Sequence, residues 1–109
     1  GFKIIHCDEF QIEGINKIVE RIRNRVGDNA LYLSIDIDVL DPAFAPGTGT
    51  PEIAGMTTRE IVNVIRGLSG LNLVSADVVE GAPAYAHAEV TSLAASTIVY
   101  ELTNLFAKA

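Results

Sequence analysis

The sequence predicts an α/β fold, a parallel sheet covered by helices. Three observations predict it. Short apolar runs that suit strands alternate with longer segments whose apolar residues recur at helical spacing. Those intervening segments are long enough for right-handed crossovers between parallel strands. Of the 109 residues 49% are apolar and 20% charged, a balance that supplies a core and excludes disorder.

Phe2 to His6 reads as a short strand. Phe10, Ile12, Ile15, Ile18, Val19, Ile22 and Val26 then recur at helical spacing with Glu20, Arg21, Arg23 and Arg25 between them, so one amphipathic helix is expected, ending near Gly27. Leu31 to Ile37 reads as the second strand. A loop rich in proline and glycine follows, roughly Val39 to Met56. The next helix spans about Thr58 to Leu68. Thr57 and Glu60 have capping-box spacing at its start, and Gly67 and Gly70 mark its end. Leu71 to Val79 is the third strand. The last helix runs from about His87 to Ala107, with Val90, Leu93, Ala94, Thr97, Ile98, Leu102 and Leu105 expected on its buried side. Three strands make a small sheet with two open edges. Together with a start on Gly1 rather than methionine, this leads us to expect residues 1–109 to be one part of a larger domain.

Eight basic against fourteen acidic residues give a net charge of −6. Without a basic patch, nucleic acid and anionic membrane surfaces are not expected partners. No apolar run approaches the roughly 18 residues of a membrane helix. The single cysteine, Cys7, cannot form an intrachain disulfide. The N-terminal residues have neither signal-peptide nor transit-peptide character.

The chemistry gathers at Asp36-Ile37-Asp38. In a strand, alternate side chains share a face, so Tyr32, Ser34, Asp36 and, if the strand persists, Asp38 lie on one side. Two residues of strand separate the acids by about 6.6 Å, a spacing that lets two carboxylates converge on one cation or on two close ones. Ligands of α/β folds gather at this C-terminal edge of the strands. Taken alone, the pair is equally well a polar strand end leading into the Asp41-Pro42 turn. Asp41 reads as the turn residue, accepting backbone N–H groups. The loop behind it combines Pro42, Pro46 and Pro51 with Gly47, Gly49 and Gly55, and with Thr48 and Thr50. A long, stiffened loop directly after two acids points to function more than to filler.

The gapless stretch from Ser34 to Glu52, SIDIDVLDPAFAPGTGTPE, resembles the signature of the ureohydrolases, the arginase and agmatinase family. Asp77-Val78-Val79-Glu80 with Ala82-Pro83 resembles the family's second substrate segment. Tyr85, His87, Ala88 and Glu89 resemble the start of its C-terminal helix. The likeness covers the chain from about Leu31 onward, and APGTGTPE leans toward agmatinases. It implies a three-layer α/β/α fold, of which residues 1–109 would form the C-terminal portion of the catalytic domain. It also implies a binuclear manganese site and hydrolysis of a guanidino compound to urea and an amine. Agmatine would be the first candidate substrate, guanidinobutyrate the second and arginine the third. By the same resemblance, Asp36 would bridge the two manganese ions and Asp38 would chelate one. Glu80 would pair with the substrate guanidinium, and Thr50 would place a hydroxyl near the reacting centre.

Two positions depart from the pattern. Gly81 stands where the family has valine, and Ala86 where agmatinases have aspartate. The family's histidine ligands, its further aspartates and its catalytic histidine lie on motifs that this sequence does not contain. Residues 1–109 alone are therefore expected to be inactive. His6, beside Cys7 and Asp8, is read as a strand end, and His87 as a helix N-terminal residue. A homo-oligomer and an intracellular setting, cytoplasmic or else mitochondrial, are expected. Two other readings compete. One is a truncated, non-catalytic ureohydrolase remnant. The other is a haloacid-dehalogenase-type phosphatase, which would need a further acidic pair and a lysine near the strand ends.

Overall fold

The computed structural model describes residues 1–85 and 88–108. Ala86 and His87, which carry two of the sequence expectations, lie outside them. The elements follow in the order α1 (Cys7–Glu13), α2 (Ile15–Val26), β1 (Leu31–Asp36), a short 3-10 turn (Ile37–Val39), α3 (Thr58–Gly67), β2 (Leu73–Val79) and α4 (Ala88–Lys108).

The two strands pair in parallel. Leu31 faces Leu73, the register slips by one residue, and pairing then runs from Tyr32–Ser75 to Asp36–Val79. Leu33, Ile35, Ala76 and Val78 share one face and join the core with Ile61, Val64 and Ile65 of α3 and Ile98, Leu102 and Leu105 of α4. The opposite face carries Tyr32, Ser34, Asp36, Ser75 and Asp77, as strand alternation requires. The sheet therefore sorts apolar side chains toward the helices and the acids away from them.

Capping fixes the start of α3. The Thr57 hydroxyl accepts from Glu60 N at 3.0 Å, and the Glu60 carboxylate accepts from Thr57 N at 2.9 Å. This reciprocal pair satisfies two amide donors that the first turn leaves over. Helices α2 and α3 pack closely where Gly67 meets Val19: a Cβ on Gly67 would fall 2.7 Å from Val19 Cγ1. Across the other side of α3, Arg66 makes a two-pronged contact with Glu101 of α4, at 3.1 and 2.7 Å.

Several expectations require correction. Phe2 to His6 forms no strand. The segment has no neighbouring strand to satisfy its backbone, and Phe2 and Ile4 are exposed. His6 instead caps α1, its backbone N–H donating to Glu9 Oε2. The single helix expected up to Val26 is two, because Gly14 takes φ 86° and ψ 158°, a conformation open to glycine that breaks the helical path. Among the described residues the sheet has two strands rather than three. The first ends at Asp36 instead of Ile37, and the last begins at Leu73 instead of Leu71. Val90, Leu93 and Thr97 are exposed, whereas Thr91 is buried. The inward stripe of α4 runs from Thr91 through Ala94 and Ala95 to Ile98, Leu102 and Leu105.

Candidate metal centre

Asp36 is the last residue of β1, and its neighbour in register, Val79, is the last of β2. Glu80 follows immediately. The parallel pairing therefore delivers Asp36 and Glu80 at the same C-terminal edge, where open α/β sheets place their ligands. Glu80 leaves the strand with φ 68°, in the left-handed region that non-glycine residues rarely adopt. Such backbone persists where surrounding contacts over-determine it, as functional sites commonly do.

Asp38 reaches the site by a route other than the expected extended strand. The chain turns into the 3-10 segment after Asp36, and Asp36 Oδ1 accepts a hydrogen bond from Asp38 N at 3.1 Å. This is the local side chain-to-backbone capture typical of aspartate at a turn. It holds the second acid beside the first, so the two converge by a turn rather than by strand alternation. Thr50, twelve residues further on, returns to the pair: its hydroxyl donates to Asp38 Oδ2 at 2.6 Å.

The electrostatics are those of an uncompensated acidic site. Burial pushes the Asp36 carboxyl above the ordinary aspartate range, and the negative charges of Asp38 and Glu80 push it further the same way. The Asp38 amide pulls against them. Among the described residues no Lys, Arg or His forms an ion pair with Asp36, Asp38 or Glu80. A cation between the carboxylates would relieve that cost. The donors are all oxygen, which suits manganese or magnesium better than a soft metal. No group of three or more His, Cys, Asp or Glu is set to hold a metal among the described residues. Asp36 and Asp38 thus fit part of a hard-cation site, and two carboxylates do not fill the roughly six positions such an ion takes.

Two further acids have structural work. Asp41 Oδ1 accepts from Ala43 N at 2.9 Å and its Oδ2 from Ala54 N at 3.1 Å, so one carboxylate clasps both ends of the loop that carries Thr50. It is the turn residue that its place before Pro42 predicts. Asp77 accepts from the Ser34 hydroxyl at 2.5 Å and from the Tyr32 hydroxyl, which hold its carboxyl below the usual range. It ties β2 to β1. The cross-strand partners of Asp77 had no signal in the sequence, because register decides them.

The sequence matches the Arginase family over residues 1–104. The chain belongs to the arginase family. A relative from Schizosaccharomyces pombe is 59% identical over 108 residues, which are 99% of this chain and 27% of the relative. The agmatinase of Photorhabdus laumondii is 48% identical over 105 residues, 96% of this chain and 34% of its own length. Among solved structures, the proclavaminate amidino hydrolase of Streptomyces clavuligerus superposes with a TM-score of 0.96 at 42% identity, covering 100% of this chain and 36% of that one. The chain therefore spans about a quarter to just over a third of the length of these relatives. The arginase-like α/β fold expected from the DIDVLDP signature is the fold that is found. That agreement leaves no support for the phosphatase alternative, which wants an acidic pair where Asp77 stands without an adjacent acid.

Proposed function

We propose that this chain is the C-terminal portion of a ureohydrolase catalytic domain, and that Asp36 and Asp38 are its contribution to a binuclear manganese site. The observation that carries the reading is the meeting of two strand ends. Asp36 and Asp38 sit half-buried with no described cation beside them, at the sheet edge where Glu80 emerges from the neighbouring strand. The substrate is a guanidino compound, agmatine first, and the products are urea and an amine. Relatives of both agmatinase and amidino hydrolase name support that substrate class.

Each residue has a definable task. Glu80 is exposed, and its carboxylate presents two oxygens to a planar guanidinium, a geometry suited to paired charge-assisted hydrogen bonds. Thr50 fixes the orientation of Asp38 by occupying one lone pair of Oδ2. Asp36, whose carboxyl is held above the ordinary range by burial and by Asp38 and Glu80, would be favoured in its charged form by a cation held there. The chemistry a bound metal pair supplies is a lowered pKa for water, giving a nucleophile near neutral pH. With Glu80 holding the guanidinium, hydrolysis would use such a nucleophile to form the C–O bond of urea as the C–N bond to the amine breaks, and the leaving nitrogen would need one proton. The proton donor and the remaining ligands come from the rest of the longer protein, which we expect to be an intracellular homo-oligomer. No helix among the described residues is long and apolar enough to cross a membrane.

The test is metal retention followed by urea release. The full-length protein, loaded with manganese and freed of excess, should retain two ions per active site and release urea from agmatine faster than from guanidinobutyrate or arginine. Asp36→Ala and Asp38→Ala should each lose bound manganese and activity together. Residues 1–109 alone should release no urea. Full manganese retention by both variants would overturn the ligand assignment. A full-length protein that binds manganese but hydrolyses no guanidino compound would support the non-catalytic alternative instead.

A further inference from the structure

Within the loop that brings Thr50 to Asp38, Ala45, Gly47 and Thr48 are buried, whereas residues 49–54 are exposed. The Gly47 residue is held on two sides. Its N–H donates to Thr91 Oγ1 of α4 at 2.6 Å, and its carbonyl accepts from Ala82 N at 2.7 Å. Next to it, Thr48 bridges Gly81 in antiparallel fashion, and the Thr48 hydroxyl is buried without a described partner. Gly47, Thr48 and Thr91 are buried, so losing a hydrogen bond among them leaves a polar group unpaired.

This arrangement connects both halves of the candidate site. Three residues beyond Gly47 is Thr50, whose hydroxyl holds Asp38. One residue before Gly81 is Glu80, with its left-handed backbone. Thr91 is the point at which α4 grips the segment joining them. It is 3% exposed, and its hydroxyl lies 44 residues away in sequence from the amide it receives. A valine would fill the same volume, so packing alone does not call for a hydroxyl there. We propose that Thr91 is a positioning residue, whose hydroxyl fixes the Gly47–Thr48 segment against Gly81–Ala82 and so sets the placement of Thr50 and Glu80 relative to Asp38. This inference rests on the ureohydrolase reading for its catalytic consequence, not for its geometry.

The experiment compares Thr91→Val, which keeps the shape and removes the hydroxyl, with Thr91→Ser, which keeps the hydroxyl, in the full-length protein. Two readouts are taken. Amide exchange and amide chemical shifts report the segment directly. Thr91→Val should speed exchange at Gly47 and shift the resonances of Thr50 and Glu80, while Thr91→Ser should leave all three near the parent values. Urea release reports the consequence. Loss of one buried hydrogen bond should lower kcat/KM about tenfold, chiefly through a higher KM because Glu80 moves, with Thr91→Ser restoring it. Unchanged Thr50 and Glu80 shifts in Thr91→Val would overturn the proposal. So would an altered segment with parent-like kcat/KM, or a loss that serine does not rescue. If the parent itself hydrolyses no guanidino compound, the functional reading fails, and the shifts at Thr50 and Glu80 alone decide whether Thr91 positions them.

Discussion

Gly55 is the position where a single methyl group should do the most damage close to the acids. The chain returns from its long loop by laying Gly55 directly on the backbone that follows Asp38. A Cβ there would lie 2.6 Å from Asp41 N, 2.8 Å from the Leu40 carbonyl carbon and 2.9 Å from Val39 O. All three are backbone atoms, so no side chain can swing aside. The shortest contact is roughly an ångström inside the ~3.5–4.0 Å at which such atoms pack well. The returning strand must therefore move, and two hydrogen bonds hold it: Met56 N to Val39 O and Asp41 N to Met56 O, each 2.9 Å. Weakening both costs about 1 kcal/mol apiece, and overpacking a tight site costs about 1–3 kcal/mol, so Gly55→Ala should destabilise the protein by roughly 3–5 kcal/mol. Urea denaturation monitored by circular dichroism measures this as a lower midpoint at unchanged slope. Gly49→Ala is the matched control, since its Cβ would meet only the Tyr85 hydroxyl at 3.9 Å, and its effect should stay within about 0.5 kcal/mol. A Gly55→Ala protein as stable as the Gly49→Ala protein would refute the close-approach argument.

Gly81→Ala should act in the opposite direction: a Cβ there meets nothing within 4 Å and the residue does not have positive φ, so the loss of unfolded-state freedom should stabilise by about 0.4–1 kcal/mol in the same denaturation assay. Thr57→Ala removes the acceptor for Glu60 N and should cost about 1 kcal/mol by thermal or urea unfolding, with Thr57→Ser close to the parent. The Arg66 guanidinium holds the Glu101 carboxyl below the ordinary glutamate range. A depressed folded-state pKa means that this contribution is complete above the ordinary value of about 4.3 and is lost as pH falls through the lower folded value. Melting temperatures recorded from pH 6 downward should therefore fall less steeply for Glu101→Gln than for the parent.

What could be read from the sequence was what depends on local pattern. The α3 cap was visible because a threonine and a glutamate three residues apart make the same two bonds wherever a helix starts. The alternation in β1 put Tyr32, Ser34 and Asp36 on one face, and the structure keeps them there. The misses came where a distant partner decides. Phe2 to His6 has strand composition, but a strand forms only against a neighbour. Gly14 was legible as a residue that weakens a helix, yet the apolar spacing continued through it and concealed the break. Val90 and Leu93 fit the helical stripe of α4 on hydrophobicity alone; instead they line a groove of about 570 Å³ with Phe44, Ile61 and Val62. At the candidate site, the identities of Asp36, Asp38, Thr50 and Glu80 stood out by resemblance, whereas Thr91 gave no signal, because nothing local marks which buried threonine will hold a loop 44 residues away.

The placement of the acids follows from where regular structure stops. Continued as a regular strand, β2 would put Glu80 on the core face with Val78, opposite Asp36. Instead β1 exits into a 3-10 turn that folds Asp38 back onto Asp36, and β2 exits through a left-handed Glu80. The apolar core anchors the β1 exit through Ile37 and Leu40, and the returning loop through Ala45 and Met56. Polar contacts across the loop add to this: Asp41 at its ends, Thr50 at Asp38, and the Gly47 residue between Thr91 and Ala82. The core thus roots the exit turn, while the polar side-chain contacts orient the acids upon it. Substitutions in the core, such as Ile65→Val, should lower the unfolding midpoint while leaving the placement of the acids intact. Removing one of the loop hydrogen bonds should do the reverse, shifting the site far more than it shifts the midpoint.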